Sequence, residues 1–131
     1  MPDSAGGGAA GERGGLRKRA AWPVGRRMAA AGRVLREVPF ALLCPAERFF
    51  RGAGGEGLLL QGVVDCGLFE PDGLVIVDYK TDRISAAEAP GRAGRYASQL
   101  ESYAWAMSQI TGRSVKAKLV YFLRPGEAVE L

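Results

Sequence analysis

No histidine occurs anywhere in the 131 residues, so no imidazole serves this chain as base, acid or metal ligand. Cysteine is scarce as well. Cys44 and Cys66 have a spacing that suits no metal site, and the pair makes no disulfide framework. They read as small core residues in a reducing cytoplasm. No apolar run approaches the roughly 18 residues of a membrane span. Arg26-Arg27 ahead of Met28 imitates an export signal, but Arg33 and Arg36 interrupt any apolar core there. A phosphate-binding Gly-x-x-x-x-Gly-Lys-Ser/Thr loop is missing, which removes the motor machinery built on it. There is no internal repeat.

What is present fits one globular domain and leaves no room for a second: 47% hydrophobic and 24% charged residues over this length. The net charge of +4 is unevenly placed. Residues 1–36 hold eight Lys/Arg and two acids, or +6; residues 37–131 hold ten and twelve, or −2. Six of the 19 glycines fall in the first fifteen residues. Residues 1–34 therefore read as a disordered, basic Gly/Ala/Arg-rich leader, either a solvated tail or an attractor of nucleic-acid phosphates. In residues 16–36, Met28, Ala31, Val34 and Leu35 fit a short helix that Gly25 and Gly32 weaken.

From Glu37 the texture is that of alternating strands and helices. Glu37–Cys44 reads as a strand with Pro39 near its start, and Leu58–Phe69 as a longer one. Glu70-Pro71-Asp72-Gly73 is a tight turn, since proline presets its own φ and glycine accepts a positive one. Leu74–Lys80 then returns antiparallel. Ser85 is placed to cap a short helix over Ala86–Ala89 that Pro90-Gly91 ends. Arg95–Thr111 is the clearest helix, with Tyr96, Leu100, Tyr103, Met107 and Ile110 on one stripe and Gly112 at its C-terminus. Ser114–Leu123 is a further strand. Arg124-Pro125-Gly126-Glu127 turns it into a returning one.

The strand Gly73-Leu-Val-Ile-Val-Asp78-Tyr79-Lys80-Thr81 concentrates the chemistry. Asp78 and Lys80 share one face, with Tyr79 on the other. If Phe69 lies opposite Leu74, Asp65 lies opposite Asp78, with Cβ atoms about 4.5–5.5 Å apart. Two facing carboxylates repel unless one is protonated or a cation lies between them. Mg²⁺ suits such a pair, with the Tyr79 carbonyl as a further ligand and Lys80 as a fixed positive charge. On spacing alone, a structural Asp–Lys ion pair is the readier reading. Gln99 and Tyr103 lie on one helix face, with Tyr96 a turn earlier; they could bond a phosphate or stack on a base, or be core residues with their polar ends at the rim. Glu37 could add an acid from another strand, or be a surface charge.

Taken together, Gln61-Gly-Val-Val-Asp65, Val77-Asp-Tyr-Lys-Thr81 and Tyr96-Ala-Ser-Gln-Leu-Glu-Ser-Tyr103 resemble the RecB-like branch of the PD-(D/E)XK nucleases. The nearest likeness is to the C-terminal nuclease domain of AddA-type helicase–nuclease subunits. Arg36-Glu-Val-Pro-Phe40 and Tyr121-Phe-Leu-Arg124 extend the likeness, which covers about residues 35–131. The resemblance implies an α/β domain, a mixed sheet flanked by helices, that cuts DNA phosphodiesters with Mg²⁺ or Mn²⁺ in recombinational repair. It implies Asp65 and Asp78 as metal ligands, Lys80 as the catalytic lysine, and Gln99 and Tyr103 as residues that position site and DNA. It assigns Glu37 to the family's Arg-Glu-x-Pro-Phe segment. The implied partners are DNA and a helicase domain or partner subunit of an AddAB-type complex, in a bacterial cytoplasm. One departure stands out: such nucleases carry a histidine on an upstream helix, and this chain has none. The expectation is a domain with an incomplete N-terminal part, either an active nuclease or a non-catalytic remnant that binds DNA or serves as a docking module.

Overall fold

The computed structural model describes residues 21–52 and 54–131. The expected disorder of residues 1–15 lies outside them. The described part of the expected leader is folded. Helix α1 spans Ala21–Ala30 and strand β1 spans Arg33–Pro45. Val24, Met28 and Ala31 of this segment pack on the sheet. Val34 and Leu35 do not continue a helix; they point to opposite faces of β1. The strand starts four residues earlier than its apolar texture indicates, because Arg33 and Arg36 occupy exposed positions of an edge strand, where charge is tolerated.

Strands β2 (Gly57–Glu70), β3 (Gly73–Lys80), β4 (Val115–Phe122) and β5 (Glu127–Glu130) complete a five-stranded sheet in the order β1-β2-β3-β4-β5. The pair β3–β4 is parallel and the others are antiparallel. Two helices, α2 (Ala89–Gly94) and α3 (Ala97–Thr111), form the crossover between the parallel strands. They cover one face together with Phe40, Val64, Ile76, Val120 and Phe122. Helix α1 covers the other face over Cys66, Leu68, Val75 and Val77. The central strand is thus buried on both sides, which is why Leu74–Val77 read as an unbroken apolar run. Both cysteines are buried and free. Among the described residues no helix is long and apolar enough to cross a membrane.

The crossover departs from expectation at one proline. Ser85 does cap, in a reciprocal pair with Glu88, and a 3-10 turn covers Ala86–Glu88. Pro90 then opens α2 instead of ending the preceding helix, since a proline in a first helical turn forfeits no intrahelical bond. The clear helix starts at Ala97, two residues later than expected, and Gly112 closes it at φ 72°. Leu100 and Met107 of its stripe are fully buried, whereas Ile110 is 46% exposed at the end of the face.

The turn end of the β2–β3 hairpin is stapled by charge. Glu70 accepts two bonds from Arg27, at 2.9 and 3.0 Å, and lies 2.8 Å from Lys116. The Arg27 and Lys116 bonds hold its carboxyl down at about 2, from an ordinary 4.5. A depressed carboxyl stabilises the fold above the unfolded pKa, and that contribution drains away as pH falls toward the folded value. The parent should therefore lose stability between about pH 4.5 and pH 2. Glu70→Gln should cost about 1–2 kcal/mol at neutral pH and flatten that acid limb. Urea midpoints across the range check this; parallel acid limbs for parent and variant would dismiss the staple.

Candidate active site

The β2–β3 ladder runs from Glu70↔Gly73 through Phe69↔Leu74 to Cys66↔Val77 and stops there. The register is the expected one, and it makes Asp65 and Asp78 the next opposed positions, just past the last rung. The strands part at that point. The Asp65 side chain takes over a backbone role, with its Oδ2 accepting the Tyr79 N–H at 2.8 Å. The site therefore lies in the fork between two strands.

A second irregularity sets the direction of β2. Its α3-side residues are Leu60 and Val64 on one side of Asp65, and Gly67 (against Met107) and Phe69 on the other. The alternation slips by one residue between Val64 and Cys66. On β1 it slips at the same level, since Leu35 and Val38 share the α3 side. Of the two positions between them, Arg36 still pairs with Cys66, whereas Glu37 stands at φ 50° and the 37/65 rung is missing from an otherwise continuous register. The left-handed backbone of Glu37 lets both strands roll over together. Without that roll, Val64 and Leu68 could not both be buried, on opposite faces.

Asp78 is 4% exposed, and its carboxyl points to the α3 side. Burial pushes its pKa up, Lys80 pulls it down, and the Asp65 carboxyl raises it again. The Lys80 ammonium sits 2.8 Å from Asp78 Oδ2, but without the alignment of a hydrogen bond. Among the described residues, this oxygen is the one buried side-chain polar atom with no hydrogen-bond partner. The ammonium donates instead to Gln99 Oε1 at 2.9 Å. Gln99 Nε2 donates to the Tyr103 hydroxyl at 3.1 Å. The Tyr103 ring stands edge-on to Phe40 at 5.7 Å. Burial raises the Tyr103 pKa first, and the Asp78 charge raises it further, so its hydroxyl stays protonated.

Asp65, Asp78, Lys80, Gln99 and Tyr103 thus come together as one cluster. Glu37 does not join it. Its side chain is exposed on β1, and among the described residues no third acid, histidine or cysteine meets the two aspartates. Tyr96 reaches the cluster by its ring alone, 4.3 Å from the Lys80 ammonium; its hydroxyl donates to Asp82 at 2.8 Å.

Two further residues shape the site, and neither stands out in the sequence as a site residue. Gly62 lies under Tyr103, and a methyl group there would sit 3.1 Å from the ring. Its one signal is a glycine inside a strand, which marks a close approach. Gly62→Ala should push Tyr103 off Gln99 and lower stability by about 1–2 kcal/mol. A Tyr103 fluorescence or NMR environment identical to the parent's would show that the ring has room to spare. Asp82 is the other, and it carries no sequence signal, because its partners Arg92 and Tyr96 lie beyond an irregular loop.

The donor set suits a divalent cation. The buried Asp78 carboxylate has an oxygen that meets Lys80 as an ion pair but accepts no aligned hydrogen bond, and the neighbouring Asp65 carboxylate raises its pKa; carboxylate oxygens of this kind are hard donors. Two acids and a lysine thus meet at a strand fork of a mixed α/β sheet. The chain belongs to the PD-(D/E)XK nuclease superfamily, whose family model matches residues 4–129. It is similar to an A-type ATP-dependent helicase/nuclease subunit of Acetivibrio thermocellus, 43% identical over 109 residues, which covers 79% of this chain and 9% of the relative. The corresponding proteins of Desulforudis audaxviator and Bacillus velezensis are 43% and 39% identical, over 80% and 82% of this chain and 9% and 10% of theirs. The chain therefore spans about a tenth of the length of the curated relatives it matches.

Proposed function

We propose that this chain is a metal-dependent deoxyribonuclease domain of a recombinational repair helicase–nuclease, with Mg²⁺, or Mn²⁺ in its place, as cofactor. The observation that carries this reading is the buried Asp78 carboxylate set against Asp65, one of its oxygens paired with Lys80 by charge but accepting no aligned hydrogen bond. An ion pair with Lys80 alone has no need of a second acid. Asp65, Asp78 and the Tyr79 carbonyl would hold the metal. When bound, the metal would supply charge neutralisation at phosphate and a more acidic water. Lys80 presents its ammonium to the same space and can hold the attacking water or meet the charge that develops on the phosphate. Gln99 orients Lys80, and Tyr103 fixes which end of the Gln99 amide faces it. DNA is the proposed substrate, and a helicase domain or partner subunit of an AddAB-type assembly would deliver it.

The test is a metal titration on end-labelled DNA with the parent and Lys80→Ala. The parent should cleave only with Mg²⁺ or Mn²⁺, and the variant should be slower by about a hundredfold or more. Metal-independent cutting, or equal rates, would contradict the reading. Millimolar metal should also raise the melting temperature, by an amount that follows its excess over Kd.

One observation favours a second reading, a non-catalytic module for DNA binding or docking: no third acid or histidine joins the aspartates among the described residues. Under that reading DNA binds without cleavage at any metal concentration.

A further inference from the structure

Lys80 is held on three sides, and two of the holders are explained by the site itself: Asp78 at 2.8 Å and Gln99 at 2.9 Å. The third is the face of Tyr96, 4.3 Å from the ammonium nitrogen. A cation over an aromatic face is attracted by the ring quadrupole, but the attraction is directional only if the ring itself is fixed. Tyr96 is fixed at both ends. Its ring rests against Phe122, centroids 6.4 Å apart. Its hydroxyl donates to Asp82 Oδ2 at 2.8 Å, and the same oxygen accepts from Arg92 Nη1 at 2.8 Å. Tyr96 stands at the N-cap of α3 with φ −101° and ψ 6°, its N–H donating to the Ala93 carbonyl at 2.9 Å and its own carbonyl accepting from Leu100 at 3.0 Å. The backbone bonds fix its Cα, and the side-chain anchors fix where the ring stands.

We infer that Asp82 is a positioning residue for the nuclease reaction: braced by Arg92, it locks Tyr96 so that the ring holds the Lys80 ammonium toward Asp78. This rests on the reading of Lys80 given above. Asp82 follows Lys80 by two residues, yet it acts through a residue of the crossover. The loop and the helix start are thereby tied into the geometry of the strand end. A lysine has four rotatable bonds, and two contacts leave its head free to swing. The ring is the wall that prevents the swing.

The test uses the full chain, metal-supported cleavage of labelled DNA, and the side-chain NMR signals of Lys80. In the parent, the Lys80 methylene protons nearest the ammonium should show the upfield shift of an aromatic face. In Asp82→Ala they should move toward free-lysine positions, and kcat should fall about tenfold or more with KM within about twofold, since small misplacements of a reacting group are costly. Tyr96→Phe keeps the ring but loses the anchor, so it should match Asp82→Ala. The double variant should be no worse than either single one. Asp82→Asn, which keeps an acceptor for the hydroxyl, should restore most of the rate. In a Lys80→Ala background, Asp82→Ala should cost nothing further.

Unmoved Lys80 signals in both Asp82→Ala and Tyr96→Phe would overturn the inference. So would a loss of activity that persists undiminished in the Lys80→Ala background, because Asp82 would then act elsewhere. Full activity of Lys80→Ala itself is a separate failure. It removes Lys80 from the chemistry, while the NMR shifts still decide whether Asp82 places the lysine. If Asp82→Ala does not fold, Tyr96→Phe carries every arm of the comparison.

Discussion

Asp78→Asn is expected to leave a folded domain, at least as stable as the parent without metal, that no longer cuts DNA. The carboxyl of Asp78 is nearly buried, burial raises its pKa, and its Oδ2 has no hydrogen bond. A buried charge with incomplete partners is a cost to the fold, and replacing it with a neutral group of the same shape removes much of that cost. The carboxamide keeps an oxygen facing the Lys80 ammonium, and its NH2 can donate to Asp65, which a carboxylate cannot. Function suffers the opposite effect. A neutral amide is a poor ligand for a divalent ion, so cleavage should drop by at least about a hundredfold. The melting temperature of the parent should rise with millimolar Mg²⁺ or Mn²⁺, and that of the variant should not. Cleavage within tenfold of the parent, or a metal-induced rise kept by the variant, would place the metal elsewhere.

Phe122→Ala is expected to have the largest effect on stability. Phe122 is completely buried on β4, directly across the parallel ladder from Lys80. It packs in the α3-side core and supports the Tyr96 ring. Truncating a buried phenylalanine costs about 3–5 kcal/mol, through lost burial and the cavity left behind. Against a total of about 5–15 kcal/mol, that brings a domain of this size close to unfolding at moderate temperature. Urea denaturation should show the loss. A change below about 1 kcal/mol would mean that the crossover helices collapse into the space, which their short connections oppose. Where the variant remains folded in the cold, the Lys80 signals should lose their aromatic shift as well.

Much of the site could be read along the chain because its determinants are local. Pro71-Asp72-Gly73 marks a short turn, either register it allows keeps Asp65 on the face of Asp78, and the ladder from Glu70↔Gly73 selects the one that opposes them. Helical spacing puts Gln99 and Tyr103 on one face, and only their side of the sheet remained to be found. The gaps have physical causes. Val34 and Leu35 are adjacent apolar residues that suit a helix as well as a strand, and pairing with Leu68 and Gly67 decided between them. Pro90 marks either an end or a beginning, and the capping pair just before it selects the beginning. Alternation along β2 predicts one face for Val64 and Cys66, whereas the roll at Glu37 and Asp65 separates them, a backbone event with no side-chain signature. Asp82 leaves no trace in the sequence because its bonds to Arg92 and Tyr96 depend on how an irregular loop folds back.

The parallel pairing of β3 with β4 also has a kinetic consequence. The carboxylates are brought together by a hairpin with a short turn, a contact that forms early and cheaply. The lysine clamp needs Gln99 and Tyr96, and these reach β3 only when the chain has closed its crossover and β4 has docked alongside. Parallel closure of this kind carries the larger loop entropy and is the slower event. The two carboxylates thus depend on a contact local in the chain, and the lysine clamp on the longer crossover between β3 and β4.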